Sequence, residues 1–200
     1  MSYFPFFKEI EGEKCLVIGG GKVAARKISR LKEFGVKIKV VAPSIVSDIE
    51  AMAQACDNIS VERRIITPQD IENADFVIAA AGEEADKEAA RLCKERSIPV
   101  NVVDNQELCD FIFPSIIRKG DMVAGFVTGG KSPHVAAKIR RDCEMNISDN
   151  IEDILDYLAR IRKLAKDRIS DERKRAAYIR EVSEFCMKAD RVCSNKEENA

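Results

Sequence analysis

The stretch 15-CLVIGGGKVAARKISRLKEFG-35 decides the fold. It starts as a short apolar run, which reads as a buried strand over residues 14–18 ended by Gly19. Residues 22–34 then read as a helix, with Val23, Ala24, Ile28 and Leu31 on one face and Gly35 as its stop. Between the two, Gly19-Gly20-Gly21-Lys22-Val23-Ala24 fits the pattern G-x-G-x-x-A. Three residues without side chains at a strand tip imply that something approaches the main chain closely. Gly19 permits the tight turn, Gly21 lets a pyrophosphate approach the backbone, and Ala24 allows the helix to pack close to the strand. The helix N-terminus offers unpaired N–H groups and a partial positive charge to phosphates. The bland reading of the same turn is a structural one, in a fold that holds no nucleotide.

Working outward, strands are expected at 37–41, 60–65, 75–80 and 99–103, with helices at 46–55, from Thr67-Pro68 onward, and at 83–96. The order β-α-β-α-β-α-β-α-β with unbroken apolar strands predicts a doubly wound, Rossmann-like parallel sheet covered by helices on both faces. Beyond it the grammar changes. Residues 111–118 and 122–128 read as a hairpin around Lys119-Gly120-Asp121. Ser132-Pro133 opens a helix running to about Glu144. In the remainder, Ile151, Ile154, Leu155, Leu158, Ile161 and Leu164 follow helical spacing, and Ile179, Val182, Cys186 and Cys193 do so more loosely. Asp149 and Ser170-Asp171 are candidate helix starts, and the final SNKEENA is expected to fray.

The net charge of −1 argues against bulk attraction to nucleic acid or anionic membranes. No apolar run approaches the ~18 residues that span a bilayer, and the N-terminal residues lack the pattern of a secretory signal. A cytoplasmic chain is expected. The seven cysteines show no CxxC spacing and the one histidine, His134, has no neighbouring cysteine, so no metal site is read; reduced structural thiols are expected.

Two further features carry chemistry. The second strand ends Val41-Ala42-Pro43-Ser44, without the acid that usually binds the ribose hydroxyls. Ser44 or backbone groups must replace it, and no arginine adjoins the position for a 2′-phosphate, so NAD is preferred over NADP. Asp104 ends the fifth strand in 99-PVNVVDN-105, at the carboxyl edge of the sheet where ligands bind in such folds. It reads either as a general base or substrate anchor, or as a turn aspartate capping Gln106 or Glu107. Between Arg118 and Arg141 six basic residues face one acid, Asp121, and the turn 128-TGGKSP-133 adds backbone N–H groups and hydroxyls; a polyanion site and simple surface decoration both fit.

Taken together, VIGGGKVAARK at 17–27, VVAPS at 40–44, FVIAAAGEEAD at 76–86, VNVVDN at 100–105 and FIFPSIIRKGDMVAGFVTGGKSP at 111–133 resemble the siroheme synthase family, in its precorrin-2 dehydrogenase/sirohydrochlorin ferrochelatase module. The likeness is dense over about residues 1–145 and looser in the helical tail. It implies an NAD-binding domain over 1–112, a dimerisation segment over 113–146 and a helical C-terminal domain over 147–200 that helps close a substrate cleft. The implied reaction is NAD-dependent oxidation of precorrin-2 to sirohydrochlorin by a homodimer. Many members also insert ferrous iron into sirohydrochlorin. Asp104 becomes the base, and the nucleotide contacts carry over to Gly19, Gly21, Lys22, Val23, Pro43 and Ser44. Ser115, Thr128, Lys131, Ser132 and His134 become candidate contacts to a tetrapyrrole polycarboxylate. Thr128 stands where phosphorylated relatives carry serine, and Ala137 where many carry arginine. The fused methyltransferase module of longer members is not expected in 200 residues. The runner-up reading is a non-enzymatic NAD(H)-sensing module; such modules typically carry the acid that is missing after the second strand. Chelatase activity alone, with a vestigial nucleotide site, is a third.

Overall fold

A computed structural model describes residues 3–190 and 192. The chain divides into two compact units, Met1–Phe113 and Pro114–Ala200. Cys193 and the segment SNKEENA lie outside the described residues.

The first unit is a five-stranded parallel sheet in the order β3-β2-β1-β4-β5. Its strands are β1 (Lys14–Ile18), β2 (Lys37–Val41), β3 (Ile59–Glu62), β4 (Phe76–Ala79) and β5 (Val100–Val102). The crossovers are α1 (Lys22–Leu31), α2 (Ser47–Ala55), α3 (Pro68–Glu72) and α4 (Glu83–Glu95). Side chains alternate across the sheet, so Cys15 and Val17 face α1 and α2 while Leu16 and Ile18 face α3 and α4. Buried between helices on both faces, β4 and the part of β1 after Lys14 need apolar residues, which explains their unbroken runs. The doubly wound architecture expected from the alternation of elements is borne out.

Most strand and helix ends fall within a residue of the sequence reading, and two larger differences have a visible cause. Helix α1 tightens into a 3-10 turn over Lys32–Phe34 before Gly35 ends it in the left-handed conformation, φ 68°. Strand β3 stops at Glu62 instead of Ile65, because Arg64 turns away to bind Asp70 and Glu62.

The second unit holds an antiparallel hairpin, β6 (Ser115–Lys119) and β7 (Met122–Phe126), and three helices, α5 (Pro133–Glu144), α6 (Ile151–Arg168) and α7 (Glu172–Ala189). The hairpin begins four residues later than its apolar run. Phe111 and Phe113 are claimed by the core of the first unit, where Phe111 meets Phe76 edge-on with ring centroids 6.1 Å apart. Helix α6 buries Ile151, Ile154, Tyr157, Ile161 and Ala165, a stripe that leaves Leu155 and Leu164 exposed. Its N-cap is Asn150, without a side-chain cap, and Asp149 instead pairs with Lys119 at 3.0 Å. Asp171 does cap α7, accepting from the N–H groups of Arg173 and Lys174.

Candidate functional site

The site is built on the carboxyl rim of the parallel sheet, where β1, β4 and β5 end side by side. At the first of these ends Gly19 takes φ 117°, and a side chain there would place its Cβ 2.2 Å from the Ala80 carbonyl oxygen. At Gly20 a Cβ would lie 2.1 Å from the Ser44 carbonyl oxygen, and the Gly20 carbonyl accepts from Val46 N at 2.9 Å. The turn is therefore wedged between the ends of β4 and β2. Gly21 differs: a Cβ would meet nothing within 4 Å. It is the N-cap of α1, with no side-chain cap bond and no acid in the first helical turn. Open space over bare backbone at an uncapped helix N-terminus fits a dinucleotide pyrophosphate. Lys22, Pro43 and Ser44 are exposed and Val23 is half-buried around this turn.

The end of β4 is shaped by a residue that the motif reading passed over. Asp86, buried on α4, accepts from Ala81 N at 2.8 Å and from Gly82 N at 3.3 Å. Its burial raises its pKa, and Asp104 adds to the rise. The signal for it was an acid in the first turn of α4, a position that faces the preceding loop.

Asp104 is exposed and takes φ 59°, a left-handed conformation that aspartate tolerates better than most residues. It does not cap the following 3-10 turn, Gln106–Leu108, whose N-cap position is Asn105. The loop around it is held by the edge of the sheet. Strand β5 has no neighbour on its outer side, so the outward N–H groups of Val100 and Val102 need other acceptors. Asp110 Oδ2 serves Val100 at 3.0 Å and Cys109 Sγ serves Val102 at 3.1 Å. Lys27, from α1, reaches Asn101 Oδ1 on β5 at 2.9 Å. Desolvation pushes its pKa down to about 8. Spacing gave a hint of this, since position 27 falls three residues after Ala24 and four before Leu31, both buried.

In the second unit, Thr128 Oγ1 donates to the Ser132 carbonyl at 2.9 Å and accepts from Ser132 N at 3.2 Å, while Ser132 Oγ accepts from Val135 N. Both hydroxyls thus close the glycine turn and start α5. Lys131 and His134 are exposed and Ser115 is half-buried at the start of β6. The basic excess shrinks once helical spacing is seen: Lys138 pairs with Asp142 and Arg140 with Glu144. Lys119 bonds the Ile147 and Ser148 carbonyls. Lys131 and Arg141 have no ion pair among the described residues. No group of three or more His, Cys, Asp or Glu among the described residues could hold a metal ion, and no helix there is long and apolar enough to cross a membrane. A cavity of about 560 Å³ lies at the opposite rim, among Lys14, Lys37, Asp57 and Asn73, away from the glycine turn.

A family model described as putative NAD(P)-binding matches residues 6–115, more than half of the chain. The chain belongs to this NAD(P)-binding family. The match covers the glycine turn, Ser44 and Asp104 together, and the nicotinamide dinucleotide expected from the turn accords with it. Among curated relatives, the siroheme synthase of Nitrosococcus oceani is 31% identical over 201 residues, covering 100% of this chain and 42% of its own. That of Nitrosomonas eutropha is 35% identical over 179 residues, covering 89% of this chain and 38% of its own. The resemblance read from the motifs is borne out, and the chain spans less than half the length of these relatives. A solved structure described as SirC, precorrin-2 dehydrogenase, matches with a TM-score of 0.70 at 21% identity, covering 90% of this chain and 89% of that one. The likeness is one of fold, and at 90% of the chain it reaches into the second unit.

Proposed function

We propose that this protein is a cytoplasmic dehydrogenase that oxidises precorrin-2 to sirohydrochlorin with NAD. The observation that carries the reading is the meeting, on one rim, of an open glycine turn and an exposed carboxylate held in a left-handed turn one strand beyond β4. The siroheme synthase relatives support the substrate. Bound NAD supplies the hydride acceptor. Gly19 and Gly20 fix the turn, and the free N–H groups at Gly21 and Lys22 hold the pyrophosphate. Ser44, whose carbonyl abuts Gly20, and Pro43 before it would line the ribose side. The two arginines after β3 are tied to acids, Arg63 to Glu50 and Arg64 to Glu62 and Asp70, which favours a nucleotide without a 2′-phosphate. Oxidation removes a hydride and a proton from the macrocycle. The Asp104 carboxylate takes the proton and passes it to the water around it. Lys131, His134 and the Ser132 hydroxyl, with Ser115, contact the substrate's carboxylates, and Thr128, whose hydroxyl proton is given to the Ser132 carbonyl, shapes the turn that presents them.

The same carboxylate suits a second step, removal of pyrrole protons as ferrous iron enters sirohydrochlorin, with iron as substrate. Residues 113–146 form the dimerisation segment and 147–200 the helical domain of this reading. The reaction is tested anaerobically: protein, precorrin-2 and NAD are mixed, the spectrum is followed, and ferrous or cobaltous ion is then added. Conversion to sirohydrochlorin matched by NADH supports the dehydrogenase, and a further spectral change on adding metal supports the chelatase. Tight NADH binding without any tetrapyrrole binding would favour a sensing module.

A further inference from the structure

Lys27 is the one cation on the buried face of α1, and the reaction as proposed leaves it unused. Its Nζ donates to Asn101 Oδ1 at 2.9 Å and lies 4.3 Å from the centroid of the Phe113 ring. Asn101 is itself buried; its amide donates to the Phe111 carbonyl at 2.9 Å and stands 3.6 Å from Cys109 Sγ. That sulfur accepts from Val102 N at 3.1 Å and reaches the carbonyls of Val102 and Asn105 at 3.2 and 3.3 Å. One thiol therefore ties both sides of the turn that presents Asp104, and one ammonium ties that assembly to the helix opening on the glycine turn.

The charged and titratable groups around Nζ are Cys15 on β1, Arg26 on α1, Cys109 after the 3-10 turn, and Asp104. Burial and then Arg26 disfavour the ammonium; Cys109 first, then Asp104 and Cys15, favour it. A methionine would fill the same space without the desolvation cost of a half-buried charge. What the ammonium adds is a donor that orients Asn101, and a positive charge that favours the carboxylate of the turn Asn101 supports.

We propose that Lys27 is a positioning residue for Asp104, holding the carboxylate by its charge and the turn through Asn101 and Cys109. The role rests on the reading of Asp104 as the base. The ammonium is the working form, so activity falls as pH rises through about 8, the value to which burial pushes Lys27 down.

Two measurements on the full chain test it. In protein labelled with carbon-13 at lysine Cε, one NMR resonance titrates near pH 8, disappears in Lys27→Met, and moves to lower pH in Asp104→Asn, which removes the charge favouring the ammonium. A Lys27 resonance that titrates with the other lysines, or is unmoved in Asp104→Asn, overturns the proposal whether or not precorrin-2 is the substrate. In turnover with precorrin-2 and NAD, Lys27→Met lowers kcat about ten- to a hundredfold with KM and NADH affinity little changed, and the alkaline fall near pH 8 disappears. Lys27→Arg, which stays charged, recovers activity and carries it to higher pH. Wild-type protein that turns over while Lys27→Met matches it in rate and pH profile overturns the positioning role alone. Wild-type protein that oxidises no precorrin-2, with the Lys27–Asp104 coupling intact by NMR, overturns the reading of Asp104 instead.

Discussion

A methyl group at Gly19 would fall 2.2 Å from the Ala80 carbonyl, and one at Gly21 would meet nothing within 4 Å. The two positions separate folding from binding. Gly19→Ala forces a side chain into φ 117° and against fixed backbone, and is expected to destabilise the protein by about 2–4 kcal/mol in chemical denaturation. Gly21→Ala, at φ −88°, is expected to stay within about 0.5 kcal/mol of wild type. It should nonetheless weaken NADH binding at least about tenfold, because the new Cβ occupies the approach of the pyrophosphate. Equal loss of stability in both variants would contradict this division. The glycine pattern was legible in sequence because it needs only a strand before it and a helix after it. Lys27, Asp86 and Cys109 were not assigned roles, since each acts through a partner more than 60 residues away or through backbone of a neighbouring loop.

Among the elements, α3 shows how a short helix is secured. Its five residues follow Thr67, the cap expected from Thr67-Pro68, which forms a reciprocal capping box with Asp70. Asp70 is buried and also receives Lys39 at 3.0 Å and Arg64 at 2.6 Å. The Arg64 guanidinium, aided by the Thr67 N–H and Lys39, holds the Asp70 carboxyl far below the usual carboxylate range. The depressed value fixes the sign: its stabilisation is complete above about pH 4 and is lost as pH falls below that. Asp70→Asn is expected to cost about 2 kcal/mol at pH 7 and to flatten the acid limb of stability in urea unfolding from pH 7 to 3. An unchanged acid limb would contradict the assignment. Strands β1 and β2 were legible to the residue because buried parallel strands are short, apolar and bounded by glycine or proline. The start of the hairpin was not, because nothing in its alternation says that Phe111 and Phe113 pack with Phe76. The stripe of α6 was half legible: Tyr157 and Ala165 displaced Leu155 and Leu164 from the buried face.

For the whole molecule, the second unit leaves Val127, Val135 and Ile139 exposed, on the end of the hairpin and one face of α5. Single exposed apolar residues are ordinary, but Val135 and Ile139 are one helical turn apart and form a continuous patch. We propose that a second copy of the chain covers it. Sedimentation velocity is expected to give a dimer for wild type and a monomer for Val135→Glu/Ile139→Glu with unchanged thermal unfolding; a monomeric wild type would contradict it. The motifs of both units were legible as one family pattern, yet how the second unit's residues engage a substrate is a matter of long-range placement that no local motif encodes. The central claim concerns the rim of the first unit, and one comparison tests it most directly: wild type against Asp104→Asn, in equilibrium NADH binding and in single-turnover reduction of NAD by precorrin-2. Asparagine keeps the left-handed turn at φ 59° and the shape of the side chain, and removes the charge and with it the capacity to take a proton. The account predicts unchanged NADH affinity with a rate at least about a hundredfold lower, and a variant that reduces NAD as fast as wild type would contradict it.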